Sequence, residues 1–207
     1  MGKRDAVETK ARILATAEKL FSDVGFDKAR VDDIAKEAGV NKALIYYYFK
    51  SKDEILDTLF TSLIDEVKRI LIKSVEATPD ISQGDNYRKL FNIYMGFITK
   101  KRKIIKVAIA ESAKVSSEVS IVMKLGDLIS NAEVENIRKS YENKGLCFPV
   151  DKQEKLVMEF FTGLMPFFTF ALYKEEWENF YNVSEDELYE KFYQAFKKTH
   201  LAAHMQK

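Results

Sequence analysis

The sequence predicts an all-α protein in two parts, a small N-terminal unit of three helices and a larger C-terminal helical domain. Only 3 prolines and 8 glycines interrupt its 207 residues. Apolar residues recur at the spacing of helix faces through most of the chain. A third observation is the stretch from Val31 to Lys52, which reads as a helix, a glycine turn and a second short helix.

The first helix is predicted from near Thr9 to a stop at Gly25. Its apolar stripe follows the i, i+1, i+4, i+7, i+8 pattern, which places the side chains on one helix face. The stripe consists of Ile13, Leu14, Ala17, Leu20 and Phe21.

The second helix begins at Val31 and shows a stripe that ends at Ala38. Gly39 is expected to end it, because glycine readily takes the left-handed conformation common at helix C-termini. Asn41 is a good N-cap, so a third, short helix can begin two residues after the glycine. This order of elements is a helix-turn-helix.

The short helix carries three consecutive tyrosines, which cannot all point inward because neighbouring helical residues are about 100° apart. We expect Leu44 or Ile45, together with Phe49, to face the core. A short helix after a tight turn can enter the DNA major groove, and tyrosine and lysine side chains can donate to phosphates. The alternative interpretation is that the tyrosines merely cover a small helical core.

Many residues of this region resemble the N-terminal domain of TetR-family transcriptional regulators. The resemblance covers roughly the first 60 residues without a gap and is specific. It rests on Ala17, Phe21, Gly25, Phe26, Val31, Ile34, Ala35, Ala38-Gly39-Val40, Lys42, Ile45-Tyr46-Tyr47-Tyr48-Phe49 and Lys50-Ser51-Lys52-Asp53-Glu54.

The resemblance implies roles for particular residues in DNA binding. The base-reading positions at the start of the recognition helix are Lys42, Ala43 and Leu44, and the positions expected to hold the DNA backbone are Tyr46, Tyr47, Tyr48, Lys52 and Arg30. Ala43 and Leu44 offer only apolar contacts, so direct base reading is expected to be sparse and DNA shape important. Asp32 would repel phosphate unless it pairs with Arg30 or Lys36.

Composition excludes several classes of protein. The net charge is +1, but residues 1–52 hold 11 basic against 8 acidic residues, a weak basic bias at the end expected to bind DNA. A single cysteine, Cys147, offers no disulfide framework. No segment reaches 18 uncharged apolar residues, so we expect neither membrane insertion nor secretion. The expected location is the cytoplasm.

Motifs of an enzyme, a cofactor site or a metal site are not evident. The sequence has no glycine-rich phosphate loop, no nucleophile elbow and no zinc-spaced ligand set. His200 and His204 have the i, i+4 spacing of a metal site but no third ligand, and we expect them to be exposed on a frayed helix.

Beyond the N-terminal unit, Ser51 is expected to cap a long helix that ends at the break from Thr78 to Asp85. A helix from about Tyr87 should end in the basic cluster 100–103, which we interpret as a solvated turn. Shorter and longer helices are predicted through 109–113 and 118–144.

The last two helices carry more aromatic surface than one core needs. The first is predicted over 152–173 and is followed by a loop over 177–183; the second is capped by Ser184 and Glu187 and shows a stripe of Leu188, Phe192, Ala195 and Phe196. Family members usually dimerise through their last two helices, so the resemblance implies a dimer interface at Phe160, Leu164, Phe167, Phe192 and Phe196. The alternative is a monomer whose own core uses every phenylalanine.

Pro166 should kink its helix, and the resemblance implies an effector pocket in this domain. Our candidates for that pocket are Phe97, Glu111, Phe161, Met165 and Phe168. The alternative is ordinary core filling. If Glu111 and Glu159 face inward, they would indicate a cationic effector.

Together these inferences predict a helix-turn-helix DNA-binding domain over residues 1–52, linked by helix 51–77 to a ligand-binding and dimerisation domain over 53–207. The expected function is that of a dimeric repressor, which binds a palindromic operator and is released by a small apolar or amphipathic effector. The alternatives are a helical adaptor without an effector and an enzyme.

Overall fold

The computed structural model describes residues 3–78, 85–114, 118–143, 145, 147 and 151–202. In this part of the chain all regular structure is helical, as predicted. The helices are α1 (Lys3–Val24), α2 (Val31–Glu37), α3 (Lys42–Tyr48), α4 (Lys52–Ala77), α5 (Asn86–Lys100), α6 (Arg102–Ser112), α7 (Ile121–Asn143), α8 (Lys152–Met158), the π-helical segment π1 (Glu159–Leu164), α9 (Met165–Tyr181), α10 (Glu185–Phe196) and the π-helical segment π2 (Lys197–Leu201).

The chain forms two compact units. The N-terminal unit comprises residues 1–66 and 103–122, and the C-terminal unit comprises residues 67–102 and 123–207. Helix α4 therefore contributes its first half to one unit and its second half to the other. Several residues used in the sequence analysis lie outside the described part of the chain: residues 79–84, Lys144 and His204.

The N-terminal unit is built on the apolar stripes that the sequence predicts. Helix α1 begins about two turns earlier than expected and ends before Gly25, which has a φ of +87°. The stripe residues Ile13, Ala17 and Phe21 are buried, together with apolar residues of α2, α3 and α4, and this common core fixes the orientation of the short α3. Those partners are Ile34, Ala35, Ile45, Phe49, Ile55 and Leu59.

The start of α4 is capped as predicted. Ser51 Oγ accepts a hydrogen bond from the Glu54 backbone N–H at 3.1 Å. Glu54 Oε2 in turn accepts one from the Lys50 N–H at 2.6 Å. These bonds satisfy N–H groups that the helix itself cannot pair, so the long helix has a defined beginning.

The basic cluster 100–103 is the turn between α5 and α6, as expected. Lys100 and Lys103 are exposed, whereas Arg102 is half-buried and pairs with Glu175 of the same unit. The cluster is therefore largely a hydrated helix junction.

The helix that contains Pro166, where a kink is expected, includes a π-helical segment close to the proline. Residues 152–181 are one continuous helix whose middle part, π1, ends just before the proline. Because proline has no N–H and its ring crowds the preceding turn, the wider π-helical turn accommodates it. This helix is apolar and long enough to cross a membrane by length and composition alone, a test that core helices of soluble proteins also pass.

The loop predicted over 177–183 is wrong, because α9 continues to Tyr181. Lys174 lies 3.8 Å from Glu178 one turn later and also pairs with Glu185. The helix ends at Asn182, which adopts the left-handed conformation with φ of 52°, so the stop signal is an asparagine rather than a glycine.

Aromatic rings form the core of the C-terminal unit around Phe91 of α5. The Phe91 ring centroid lies 4.9 Å from that of Tyr193 and 5.4 Å from that of Phe167. The stripe predicted for α10 is partly wrong, because Tyr193 is buried while Ala195 is exposed. We call the following set the ring cluster: Phe91, Phe167, Phe170, Tyr189, Phe192, Tyr193 and Phe196.

Candidate nucleic-acid interface

The turn between α2 and α3 has the predicted geometry. Gly39 has a φ of +65°, the Val40 N–H donates to the Ala35 carbonyl at 3.0 Å, and the Gly39 N–H donates to the Lys36 carbonyl at 3.3 Å. Asn41 Oδ1 then accepts from the Leu44 N–H at 2.7 Å and starts α3. The two helices are thus joined by a tight turn whose hydrogen bonds set the direction of α3.

Helix α3 turns one face to the core and the other to solvent. Ile45 is buried, and Phe49 is buried just after the helix end. Tyr46 is 49% exposed and Tyr47 is 78% exposed. Tyrosine side chains with this exposure are available to donate a hydrogen bond to an external acceptor.

The remaining predicted DNA-binding residues are also accessible. Lys42 and Ala43, at the start of α3, are exposed, as is Arg30 just before α2. Leu44 and Tyr48 are half-buried, and the Tyr48 ring stands edge-on to that of Tyr47 at 5.1 Å. Except for Lys52, the predicted set therefore lies on or near one accessible surface of the helix-turn-helix.

Lys42 is engaged by an acidic residue of the preceding helix. Its ammonium lies 2.8 Å from Asp32 Oδ1 and 3.0 Å from Oδ2, so Asp32 pairs with Lys42 rather than with Arg30 or Lys36 as expected. The hydrogen bond to Asp32 raises the pKa of Lys42. DNA must therefore compete with Asp32 for the cation at the first position of α3.

Asp32→Asn is expected to tighten DNA binding by about tenfold at low salt, with a salt dependence steeper by about one released counterion, because the Lys42 ammonium becomes free to enter the groove. Folding stability should hardly change, since an exposed ion pair contributes little. Fluorescence anisotropy of labelled random duplexes across a salt series measures both effects.

Asp33→Asn is the matched control, because Asp33 is the exposed neighbour of Asp32 on α2 and the substitution removes the same formal charge. Equal gains for the two variants would show that general charge, and not the pairing with Lys42, limits DNA binding.

The structure places Lys52 differently from the other predicted phosphate contacts. Its ammonium donates to the backbone carbonyls of Phe26 at 2.7 Å, Ala29 at 3.1 Å and Asp27 at 3.3 Å. It also stands 4.3 Å from the centre of the Phe26 ring. Three carbonyls and an aromatic face already satisfy this cation, so we infer that Lys52 holds the turn between α1 and α2.

The same turn receives a second lysine from the end of α6. Lys114 Nζ lies 2.7 Å from Asp27 Oδ2 and 2.8 Å from Glu111 Oε2. These hydrogen bonds lower the pKa of Asp27 and raise that of Lys114. Sequence reasoning missed this arrangement, because the two partners are 87 residues apart.

The helix-turn-helix now described matches the model of bacterial regulatory proteins of the tetR family over residues 13–59. The uncharacterized HTH-type transcriptional regulator YhgD of Bacillus subtilis is 36% identical over 89 residues, which are 42% of this chain and 46% of the relative. Residues 13–59 therefore carry the helix-turn-helix module of the TetR family. The HTH-type transcriptional regulator EthR of Mycobacterium tuberculosis is 34% identical over 82 residues, 40% of this chain and 38% of the relative.

These alignments span less than half the length of either curated relative. The names of the relatives describe transcriptional regulators, which agrees with the expectation that the chain is not an enzyme.

Solved structures share the fold over nearly the whole chain. The fatty acid degradation regulator FadR of Bacillus halodurans has a TM-score of 0.66 at 18% identity and covers 95% of both chains. FadR of Bacillus subtilis, solved in complex with stearoyl-CoA, has a TM-score of 0.62 at 17% identity and covers 90% of this chain and 96% of its own. The C-terminal unit therefore shares its fold with these proteins.

The five residues predicted for an effector pocket are divided between the two units. Glu111 belongs to the N-terminal unit and pairs with Lys114, whereas the other four belong to the C-terminal unit. Among those four, Phe168 is buried, Phe97 and Met165 are half-buried, and Phe161 is 65% exposed.

The residues predicted for a dimer interface lie mainly inside the chain. Leu164, Phe167 and Phe196 are buried, and Phe160 and Phe192 are half-buried. Apart from Leu164 and Phe160, they belong to the ring cluster. The exposed aromatic residues of α9 are instead Tyr173, Trp177, Phe180 and Tyr181.

His200 is buried, so the expectation of an exposed and frayed histidine is wrong for this residue. Segment π2 packs against π1, where Thr162 Oγ1 lies 2.9 Å from His200 Nδ1 and Glu159 Oε2 lies 3.4 Å from Nε2. Among the described residues there is no group of three or more potential metal ligands. Glu133 on α7 lies close enough to both residues for their charges to affect its pKa. It had no signal in the sequence, because it is one of 32 acidic residues and belongs to no motif.

Proposed function

We propose that the protein is a cytoplasmic transcriptional repressor that binds a palindromic operator as a homodimer and leaves it when a small effector binds the C-terminal unit. The observation that carries the proposal is the exposed face of α3, where Lys42, Tyr46 and Tyr47 project from a short helix anchored by buried Ile45 and Phe49. Such a helix fits the major groove, with its first residues at base edges and its tyrosines at phosphates.

The proposed dimer surface includes the exposed aromatic residues of α9. Tyr173, Trp177 and Phe180 follow one another at intervals of four and three residues and therefore share one helix face. A cluster of exposed aromatic side chains is typical of a surface that meets a partner. A two-fold dimer would present two α3 helices to half-sites about one DNA turn apart.

Effector control is supported by helix connectivity. Helix α4 runs from the N-terminal unit into the C-terminal unit without interruption, so a ligand that prefers one position of its second half can bias the first. The shift is limited by the difference in the ligand's affinity for the two states. The stearoyl-CoA complex of FadR supports ligand binding by a protein of this fold.

Selection of duplexes from random DNA with the full chain tests the proposal. The expected result is an enriched inverted repeat that a dimer binds, with dimerisation measured by sedimentation equilibrium. Failure to bind any duplex at low salt would remove the proposed function, and enrichment of single half-sites by a monomer would remove its dimeric form.

The division of roles on α3 predicts different effects for two substitutions. Tyr47→Phe should weaken binding to all duplexes alike by about fivefold, because it removes one neutral hydrogen-bond donor to phosphate. Lys42→Ala should instead change which sequences are preferred. Repeating the selection and the affinity measurements with both variants checks this, and an unchanged preference for Lys42→Ala would assign base reading elsewhere.

A further inference from the structure

The interior of the C-terminal unit holds a set of polar side chains that the DNA-binding function does not use. We call Ser74, Tyr94, Glu133, Glu159 and His200 the interior polar cluster. Tyr94 OH lies 2.5 Å from Glu133 Oε1 and 3.2 Å from Ser74 Oγ. Glu159 and His200 are buried and contact each other across π1 and π2.

The hydrogen bonds around Glu133 are complete only when its carboxyl group carries a proton. Ser74 Oγ donates its own proton to the Leu71 carbonyl at 2.8 Å. If Glu133 is ionised, Tyr94 donates to it and no proton remains for the contact between Tyr94 and Ser74. If Glu133 is protonated, it donates to Tyr94, Tyr94 donates to Ser74, and every contact has a donor.

The electrostatic surroundings of Glu133 also favour the neutral form. Burial raises the pKa of Glu133 to about 7, with a further upward contribution from Glu159 and downward contributions from the hydrogen bond to Tyr94 and from His200. The nearby Tyr87 has a raised pKa for the same reasons, burial first and then Glu159 and Glu133. Glu133 and Glu159 thus lie in one interior region, and His200 is the basic partner of Glu159.

A further polar side chain lies on the face of α7 that carries Glu133. Ser130 lies one turn before Glu133 on α7, is only 2% exposed, and its Oγ has no hydrogen-bond partner among the described residues. One turn earlier, a Cβ on Gly126 would lie 2.3 Å from Cε2 of Phe160, so this face of α7 packs on π1. A buried hydroxyl without a partner is costly, which indicates that the site is completed by something other than the chain.

The backbone on two sides of the cluster is unusual. Glu159 and His200 lie in π-helical segments, which are rare and often mark functional sites. Aromatic rings continue from the cluster, since Phe167 lies 6.3 Å from Tyr94 and Phe196 lies 4.9 Å from His200. Carboxylates next to aromatic faces suit an organic cation, which gains from both.

We propose that the interior polar cluster binds the charged group of a hydrophobic organic cation, an amine or quaternary ammonium compound, and that Glu133 releases its proton to solvent when the cation enters. The cation replaces the proton as the partner of Glu133, with Glu159 as the second acidic group and the ring cluster beside its hydrocarbon part. This inference rests on the proposed function, for which it names the class of effector.

Exchange of a proton for a cation has a consequence for α4. Once ionised, Glu133 accepts from Tyr94, and Tyr94 no longer donates to Ser74 of α4. Because α4 also forms part of the N-terminal unit, the same event that seats the cation alters a contact of the helix that joins both units.

Calorimetry on the full chain with phenyltrimethylammonium tests the proposal, with its uncharged isostere tert-butylbenzene compared by thermal shift. The cation should bind about tenfold more tightly than the isostere, as expected for a charge-assisted contact in a buried site. At pH 6, titration in buffers of different ionisation enthalpy should show close to one proton released per cation. Equal binding of both compounds, or binding without proton release, would overturn the proposal.

The affinity should also fall by about tenfold from pH 8 to pH 6, because the ionised fraction of Glu133 falls by about that factor when its pKa is about 7. The groups facing Glu133 are Tyr94 and Tyr87 of α5, Glu159 of π1 and His200 of π2. An affinity independent of pH would contradict the exchange of a proton for the cation, and this measurement needs no variant.

Glu133→Gln should abolish both the preference for the cation and the release of the proton. Glu135→Gln is the matched control, because Glu135 lies two residues further on α7, has a side chain that is 46% exposed and pairs with Arg138. This variant should behave as the unmodified chain. Cation binding unchanged in Glu133→Gln would overturn the assignment.

Binding of a DNA duplex at low salt is measured on the same samples. A chain that binds DNA but not the cation contradicts only this inference, whereas one that binds the cation but not DNA contradicts only the proposed repressor.

Discussion

Phe91→Ala is expected to destabilise the C-terminal unit by about 3–5 kcal/mol, the usual cost of removing a buried aromatic side chain from a packed core. Phe91 is 2% exposed and its ring contacts those of five aromatic residues. These are Phe167, Tyr189, Phe192, Tyr193 and Phe196. The loss therefore combines the transfer of a large apolar group, the cavity left behind and several favourable ring pairs.

Urea unfolding followed by the fluorescence of Trp177 measures this effect, because it is the single tryptophan and lies on α9 of the same unit. Ile72→Ala, which truncates a side chain that is 60% exposed in the same unit, is the control and should cost well under 1 kcal/mol. If Phe91→Ala lowered the free energy of unfolding as little as the control does, the ring cluster would not be the core of the unit. Its phenylalanines would then be assigned to the dimer interface.

Lys52→Met is expected to destabilise the N-terminal unit by about 2 kcal/mol, because three carbonyls lose a charged donor while the aliphatic stem is retained. If Lys52 only positions the turn, the slope of DNA affinity against salt should stay unchanged for the folded protein. Hydrogen exchange of the amides in residues 25–31 should accelerate.

The exposed neighbour Lys50 supplies the control for stability, and Lys50→Met should leave the exchange rates of the turn unchanged. The opposite pattern for Lys52→Met, a salt slope lower by about one contact with unchanged stability, would restore its role as a phosphate ligand.

The comparison of Lys42 and Lys52 shows where sequence reasoning about a site ends. Both are lysines at positions that the family resemblance assigns to DNA, and nothing in their local sequence distinguishes them. Their partners decide their roles, since Asp32 lies 10 residues from Lys42 whereas Phe26 lies 26 residues from Lys52. The sequence already indicated that Asp32 needs a basic partner. The contact of Lys52 with Phe26 depends instead on how α4 packs against the turn after α1.

Helices α9 and α10 show the same limit of sequence reasoning for side-chain packing. Excess aromatic residues on α9 and α10 were visible in the sequence, and two uses competed for them, a core and an interface. Helical spacing alone cannot say which face of a nearly all-apolar helix is inside, because several faces qualify. The π-helical turns at 159–164 and 197–201 shift the register further, and they bury His200 against Glu159.

The sequence by itself determined the features that rest on neighbouring residues. These are the all-α class, the helix-turn-helix with its glycine turn and asparagine cap, the capped start of α4, and the exposed tyrosines, because helix periodicity, capping and glycine conformation act over a few residues. Only the tertiary structure decided what Lys52 and Lys114 hold, which phenylalanines form the core, and that Glu133, Glu159 and His200 share one interior region. Those outcomes depend on which segments, distant in sequence, pack against each other, because that packing determines the free energy of burying charged groups and aromatic rings.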